Sequence, residues 1–176
     1  CSQCHSNMRT HGELVITRNE CLSCHHTQEG IECARCHGIQ ASVFEGTAGF
    51  AVESEPDVMY EAGLECLSCH TGTRQSVEKA TARTCSECHD LDYEDLLVDW
   101  QTEITQLIDT VSGRLTTVQG LDLSEKDRAL ADRVASGLEK IRHDGSQGAH
   151  NLGLVEQTLS HYSAVLDSLL APGVMP

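Results

Sequence analysis

The chain has 176 residues, enough for one domain or a small two-part unit. Its net charge of −15 divides into −7 over 1–90 and −8 over 91–176. So even an acidity excludes the clustered basic face that nucleic acid requires and argues against an anionic membrane surface. Hydrophobic residues make up 39%, but ten of these are cysteines, only six residues are aromatic, and no apolar run approaches the ~20 residues of a membrane-spanning helix.

All ten cysteines lie in the first 88 residues, in five pairs. Each pair has two residues between its members and a histidine directly after. In chain order they read CSQCH (Cys1, Cys4, His5), CLSCH (Cys21, Cys24, His25), CARCH (Cys33, Cys36, His37), CLSCH (Cys66, Cys69, His70) and CSECH (Cys85, Cys88, His89). The sequence opens on Cys1, inside a motif, as expected of a mature or trimmed form. C-x-x-C-H is the attachment pattern of c-type haem. Both thiols are needed for thioethers to the haem vinyl groups, and the adjacent imidazole falls on the iron as proximal ligand.

Three other uses of paired cysteines fit less well. A disulfide scaffold has no reason to put a histidine after every pair. Structural zinc uses C-x-x-C knuckles, but its histidines need not recur at one offset. A thioredoxin-type redox motif occurs once, beside a βαβ pattern. Five haem c groups are therefore the expected cofactors. They also answer a packing problem, because residues 1–91 hold too little large apolar material for an ordinary core. Region 1–91 is expected to be a polypeptide wrap around porphyrins with short helices at the motifs, and the chain without haem is expected to be unfolded.

Five irons need five distal ligands, and five histidines remain: His11, His26, His143, His150 and His161. For each the alternative is a surface imidazole titrating near neutral pH. Met8 and Met59 are rival ligands, though methionine more often serves packing. His26 directly follows His25, so it must serve a different iron. The nearest in sequence belongs to Cys33 and Cys36. His/His ligation leaves no open position and gives lower potentials than His/Met.

Residues 38–65 form the longest gap between motifs, punctuated by Gly38, Gly46, Gly49, Pro56 and Gly63, and read as an irregular loop over a haem edge. From Asp92 the pattern turns helical. Leu97, Trp100, Ile104, Leu107, Val111, Leu115 and Val118 recur at steps of three and four until Gly120. Ser124 with Asp127 gives a capping-box-like start to a second helix, with the stripe Leu130, Val134, Leu138 and Ile141, closing at Gly145. Asn151 caps a third, with Val155, Leu159, Tyr162, Leu166 and Leu169, stopped by Pro172. His161 lies off that stripe, on the face of Leu154 and Val165, while His143 and His150 flank the preceding turn. The expected fold is mainly α with much irregular coil: a haem-packed region 1–91 and a three-helix region 92–176 that supplies distal ligands and possible oligomer contacts.

These motifs resemble the multihaem cytochrome c superfamily of extracytoplasmic electron carriers. CLSCHH at 21–26 resembles the C-x-x-C-H-H of class III tetrahaem cytochromes, in which the extra histidine ligates a different haem; this implies that role for His26. CSQCHSNM at 1–8 is similar to the first motif of NapC/NrfH-type quinol dehydrogenases, although Met8 stands three residues after His5 where that family has two. GSQGAHNLGLVEQTL at 145–159 looks like the helical tail of nitrite-reductase-related multihaem cytochromes, where a histidine before a long helix serves as distal ligand. That likeness favours His150.

The expected function is electron transfer through closely packed bis-His haems outside the cytoplasm, as a shuttle or as a subunit of a larger or polymeric conduit. The acidic surface suits redox partners with a basic rim. A homo-oligomer or filament through haem stacking or the C-terminal helices is a variant. The alternative is a reductase of a small nitrogen or sulfur oxyanion, which needs one open haem. None of the five motifs is altered in the way such active haems often are. A third reading is an electron-entry subunit of a membrane quinol dehydrogenase.

Overall fold

In the computed structural model, residues 33–73 and 76–171 are described. The first two motifs, with Cys1, Cys4, His5, Cys21, Cys24 and His25, lie outside the described residues. So do Met8, His11, His26 and the expected stop at Pro172.

The three long helices fall where the periodicity puts them. α5 runs Asp92–Gln119, α6 Glu125–Asp144 and α7 Leu152–Leu170. Four shorter helices precede them: α1 (Gly38–Phe44), α2 (Val58–Glu61), α3 (Cys66–Cys69) and α4 (Ala82–Cys85), with a 3-10 turn at Cys33–Arg35. Between α3 and α4 lies a minimal antiparallel hairpin, β1 (Gly72–Thr73) with β2 (Ser76–Val77), pairing Gly72 with Val77.

Caps set the ends of the long helices. Asp92, Glu94 and Asp95 place negative charge at the positive end of α5, which closes at Gly120. The Ser124 hydroxyl accepts from the Asp127 N–H at 3.2 Å and donates to its carboxylate at 2.8 Å. Gly145, at φ 71°, ends α6 in the left-handed conformation that glycine tolerates best. Asn151 accepts from the Leu154 N–H at 3.1 Å and opens α7. Five threonines on α5 bond back to the carbonyl four residues earlier, among them Thr102 to Val98 and Thr105 to Gln101. Their hydroxyls are thus satisfied on the helix itself.

Short links make the helices run up, down and up, with α5 against α7 and α6 against both. Their stripes meet in one core: Ile104, Val111 and Val118 of α5, Val134 and Leu138 of α6, and Val155, Leu159 and Leu166 of α7 are buried. Gly137 sits mid-helix in α6 because a Cβ there would overlap the Tyr162 hydroxyl. α5 has 28 residues against 20 and 19 for its partners. The surplus is roughly 12 Å of helix at 1.5 Å per residue. It shows at the N-terminal end, where Leu97 and Trp100 are half-buried and the fully buried positions begin at Ile104. α4 packs against α5.

One expectation is corrected. Residues 38–65 are not simply irregular, since they hold α1 and α2. Ile39 and Val43 lie one turn apart and give α1 an apolar side that packs on α6. Val43, Ala48 and Phe50 join the bundle core. Polar ties hold the segment there: Gln40 Nε2 donates to the His143 carbonyl at 2.9 Å, Lys140 Nζ to the Ala48 carbonyl at 3.0 Å, and Asn151 Nδ2 to the Val43 and Glu55 carbonyls at 3.2 and 2.9 Å. Gly46, at φ 71°, turns the chain so tightly that a Cβ would stand 2.6 Å from the Pro56 nitrogen. The bundle, for its part, has a side-chain core of its own. Among the described residues no helix is long and apolar enough to cross a membrane.

Candidate functional site

The three described motifs share one local geometry. In each, the histidine N–H donates to the carbonyl of the first cysteine at 2.9 Å: His37 to Cys33, His70 to Cys66 and His89 to Cys85. One helical turn thus carries both thiols, three residues apart on one side, and delivers the histidine at its end. α3 is the most regular case, with Glu65 and Ser68 forming a reciprocal cap at its start.

The motifs also converge. Cys66 is an exposed residue, yet partial desolvation, then the nearby Cys33 thiol, pushes its thiol up from the usual range. Burial likewise raises Cys69, followed by the proximity of Cys85 and Cys88. Burial raises Cys85 as well. All six described cysteines are free thiols. The motif of Cys66 and Cys69 thus neighbours the other two, Cys33 on one side and Cys85 and Cys88 on the other.

The histidines divide by environment. His37, His89, His143 and His161 are exposed, whereas His70 and His150 are half-buried. His89 lies under the ring of Tyr93, stacked at 4.2 Å. His161 is on the outer face of α7, near Tyr162. The face it was expected to share with Leu154 is covered at Leu154, which belongs to the core, and open one turn and more later at His161.

His70 and His150 come together. Their ring centroids are 6.1 Å apart at an interplanar angle of 54°. His70 Nδ1 is turned to its own chain, 3.3 Å from the Glu78 carbonyl and 3.4 Å from the Ala80 N–H. His150 Nδ1 lies 2.6 Å from Asp144 Oδ1. With both Nδ1 atoms occupied, Nε2 is the nitrogen each ring has left for a metal. Asp57 borders the pair. Burial raises its carboxyl above the usual range, while the Met59 N–H and then the nearby His150 pull it down.

This donor set fits a c-type haem. Cys66 and Cys69 are spaced for two thioethers and His70 for the proximal position. Two imidazoles on opposite sides of one iron, each ~2 Å away, place their ring centres roughly 6 Å apart. Of the distal candidates, His150 is brought to a motif histidine, while His143 stands exposed on the bundle surface. The role of Asp144 escapes a reading of motifs, since an aspartate six residues before a histidine has no distinctive signature.

Comparisons with known proteins bear on the motifs and the fold. Residues 26–90 match the family model of cytochrome c7 and related cytochrome c. A solved structure titled outer cell wall cytochrome OcwA is similar over 94% of this chain, with a TM-score of 0.66 and 22% identity. This chain spans 44% of that one, and the likeness speaks to the fold. No curated protein matches. With its C-x-x-C-H motifs, a family match over the residues that hold three of them and this helical, coil-rich fold, the chain is similar to the multihaem cytochromes c.

Proposed function

We propose that the protein carries electrons outside the cytoplasm, using five haem c groups each closed by two histidines. The observation that carries this reading is the pairing of His70 with His150 at 6.1 Å, a motif histidine facing one from the bundle. When bound, haem supplies a one-electron iron couple. The chain's own residues do the rest. Cys66 and Cys69 would anchor the ring, His70 and His150 would ligate its iron, and the bundle fixes His150 through the turn that follows α6. His37 and His89 act likewise with Cys33, Cys36, Cys85 and Cys88, and His5 and His25 with Cys1, Cys4, Cys21 and Cys24. His11, His26, His143 and His161 are the distal ligands assigned to the remaining irons.

Closed irons favour conduction over catalysis, because a reductase needs an open position. The net charge of −15 suits a partner with a basic rim, and docking should weaken as salt rises. The likeness to an outer cell wall cytochrome supports an extracytoplasmic place, as does thioether attachment itself. Assembly into an oligomer or filament is compatible with the exposed α7 face at His161.

The test is His150→Ala in the haem-loaded chain. Five covalent haems should remain and one should become high-spin in electron paramagnetic resonance. A spectrum that stays wholly low-spin removes His150 from the ligands and with it the pairing.

A further inference from the structure

The turn between α6 and α7 contains a carboxylate that the helices do not explain. Asp144 is the last residue of α6, at the negative end of the helix, where an acidic side chain is disfavoured. Its side chain is 1% exposed. Burying a carboxylate is costly unless donors surround it. Here they do: the Ser146 N–H donates to Oδ2 at 3.2 Å, the Ser146 hydroxyl donates to the same oxygen, and His150 Nδ1 meets Oδ1 at 2.6 Å. The Ser146 hydroxyl in turn accepts from the His150 backbone N–H at 3.2 Å. Ring and backbone of one histidine are thus tied to the same pair of side chains.

The turn is itself clamped. Gln101 of α5 donates to the Ser146 carbonyl at 2.9 Å, and Gln40 of α1 to the Asp144 carbonyl at 3.3 Å. Gly145, Gln147 and Gly148 all take positive φ, at 71°, 49° and 93°. The left-handed backbone at Gln147, a residue that adopts it rarely, shows how firmly the surrounding contacts hold the loop.

We infer that Asp144 is a positioning residue that holds His150 with its Nδ1 proton on the carboxylate and Nε2 toward the iron of the Cys66–Cys69 haem. Drawing on the Nδ1 proton makes the imidazole a stronger donor, which stabilises the oxidised iron and lowers the potential of that haem. Ser146 moderates the effect, since its two hydrogen bonds take up part of the carboxylate's charge. The inference rests on the His70–His150 pairing proposed above.

The experiment compares Asp144→Asn, Ser146→Ala and His150→Ala in the full haem-loaded chain, following haem count, spin state and a spectroscopic redox titration. Asp144→Asn should keep every haem low-spin and move one titration step upward, about tenfold in its one-electron equilibrium constant, or ~59 mV. Ser146→Ala should move the same step downward, because the carboxylate loses a competing donor. Opposite signs separate polarity from mere loosening, which would shift both variants the same way. If His150→Ala opens a haem but Asp144→Asn moves no step, the role of Asp144 is overturned and the pairing stands. Where Asp144→Asn does not yield a folded haem protein, an unmoved step in Ser146→Ala overturns the role equally. If His150→Ala leaves all irons low-spin, the pairing fails and this inference fails with it.

Discussion

The bundle and the motif region obey different rules. In the bundle, apolar residues three and four apart meet across helices, and positions such as Val118, Leu159 and Leu166 are fully buried. In the motif region the helices have four to seven residues, Cys33, Cys36, Cys66 and Cys88 are exposed, and large apolar side chains such as Val58 and Leu91 stand 74% and 76% exposed. Side chains stabilise the first. The second needs a filler, and haem is apolar surface of the right kind. The two are joined where α1, Val43, Ala48 and Phe50 pack on the bundle, where α4 packs on α5, and through Asn151, Gln40, Lys140 and the His70–His150 pair. Electron carriers of this design gain a rigid frame on which a chain-poor haem cluster can be held at fixed spacing.

The contrast can be broken from either side. The largest effect is expected from replacing Cys66 and Cys69 together with alanine. One haem should be lost by mass and by haem assay, and the motif region should become protease-sensitive while the bundle keeps its helicity. If helical circular dichroism collapses too, the bundle depends on haem and the two-rule account is wrong.

Leu159→Ala acts on the other side. A fully buried leucine truncated in a packed core costs about 2–5 kcal/mol. Denaturant unfolding should register that loss with the covalent haem count unchanged.

Asn151→Ala tests the joint between the regions. It removes a helix cap, worth about 1 kcal/mol, and two ties to the Val43 and Glu55 carbonyls. The Val43 carbonyl keeps the Gly46 N–H and Glu55 is exposed, so the lost ties add only about 0.5–1.5 kcal/mol. The amide protons of 43–55 should then exchange faster than those of α6.

The smallest effect is in pH. Burial raises the Tyr162 hydroxyl above its ordinary value. The folded protein keeps this proton after the unfolded chain, with its ordinary tyrosine value of ~10, has released it. The stabilisation is therefore full below pH ~10 and declines as pH rises above it toward the folded value. Unfolding free energies across that window should show the decline in the wild type and a flatter profile in Tyr162→Phe.

Much of this architecture is legible in the sequence, for physical reasons. α5, α6 and α7 announce themselves because their stripes are long and their caps, Ser124 and Asn151, are local signals. The motifs are legible because haem attachment requires two thiols and an imidazole within five residues. The packing of 38–50 is not legible. Val43 and Phe50 form no sustained period, and what holds the segment is distant: Gln40 reaches His143, 103 residues on, and Asn151 reaches back 108 residues to Val43. Nor does spacing distinguish His150 from His143. Both flank the same turn, and only the backbone path through Gly145, Gln147 and Gly148 sends His150 toward His70 while leaving His143 exposed.

The central claim, that histidines close every iron, is tested most directly by low-temperature electron paramagnetic resonance on the fully oxidised, haem-loaded protein. The account predicts only low-spin signals, integrating to five irons. A high-spin component worth one iron would contradict it and turn attention to that open haem as a catalytic site.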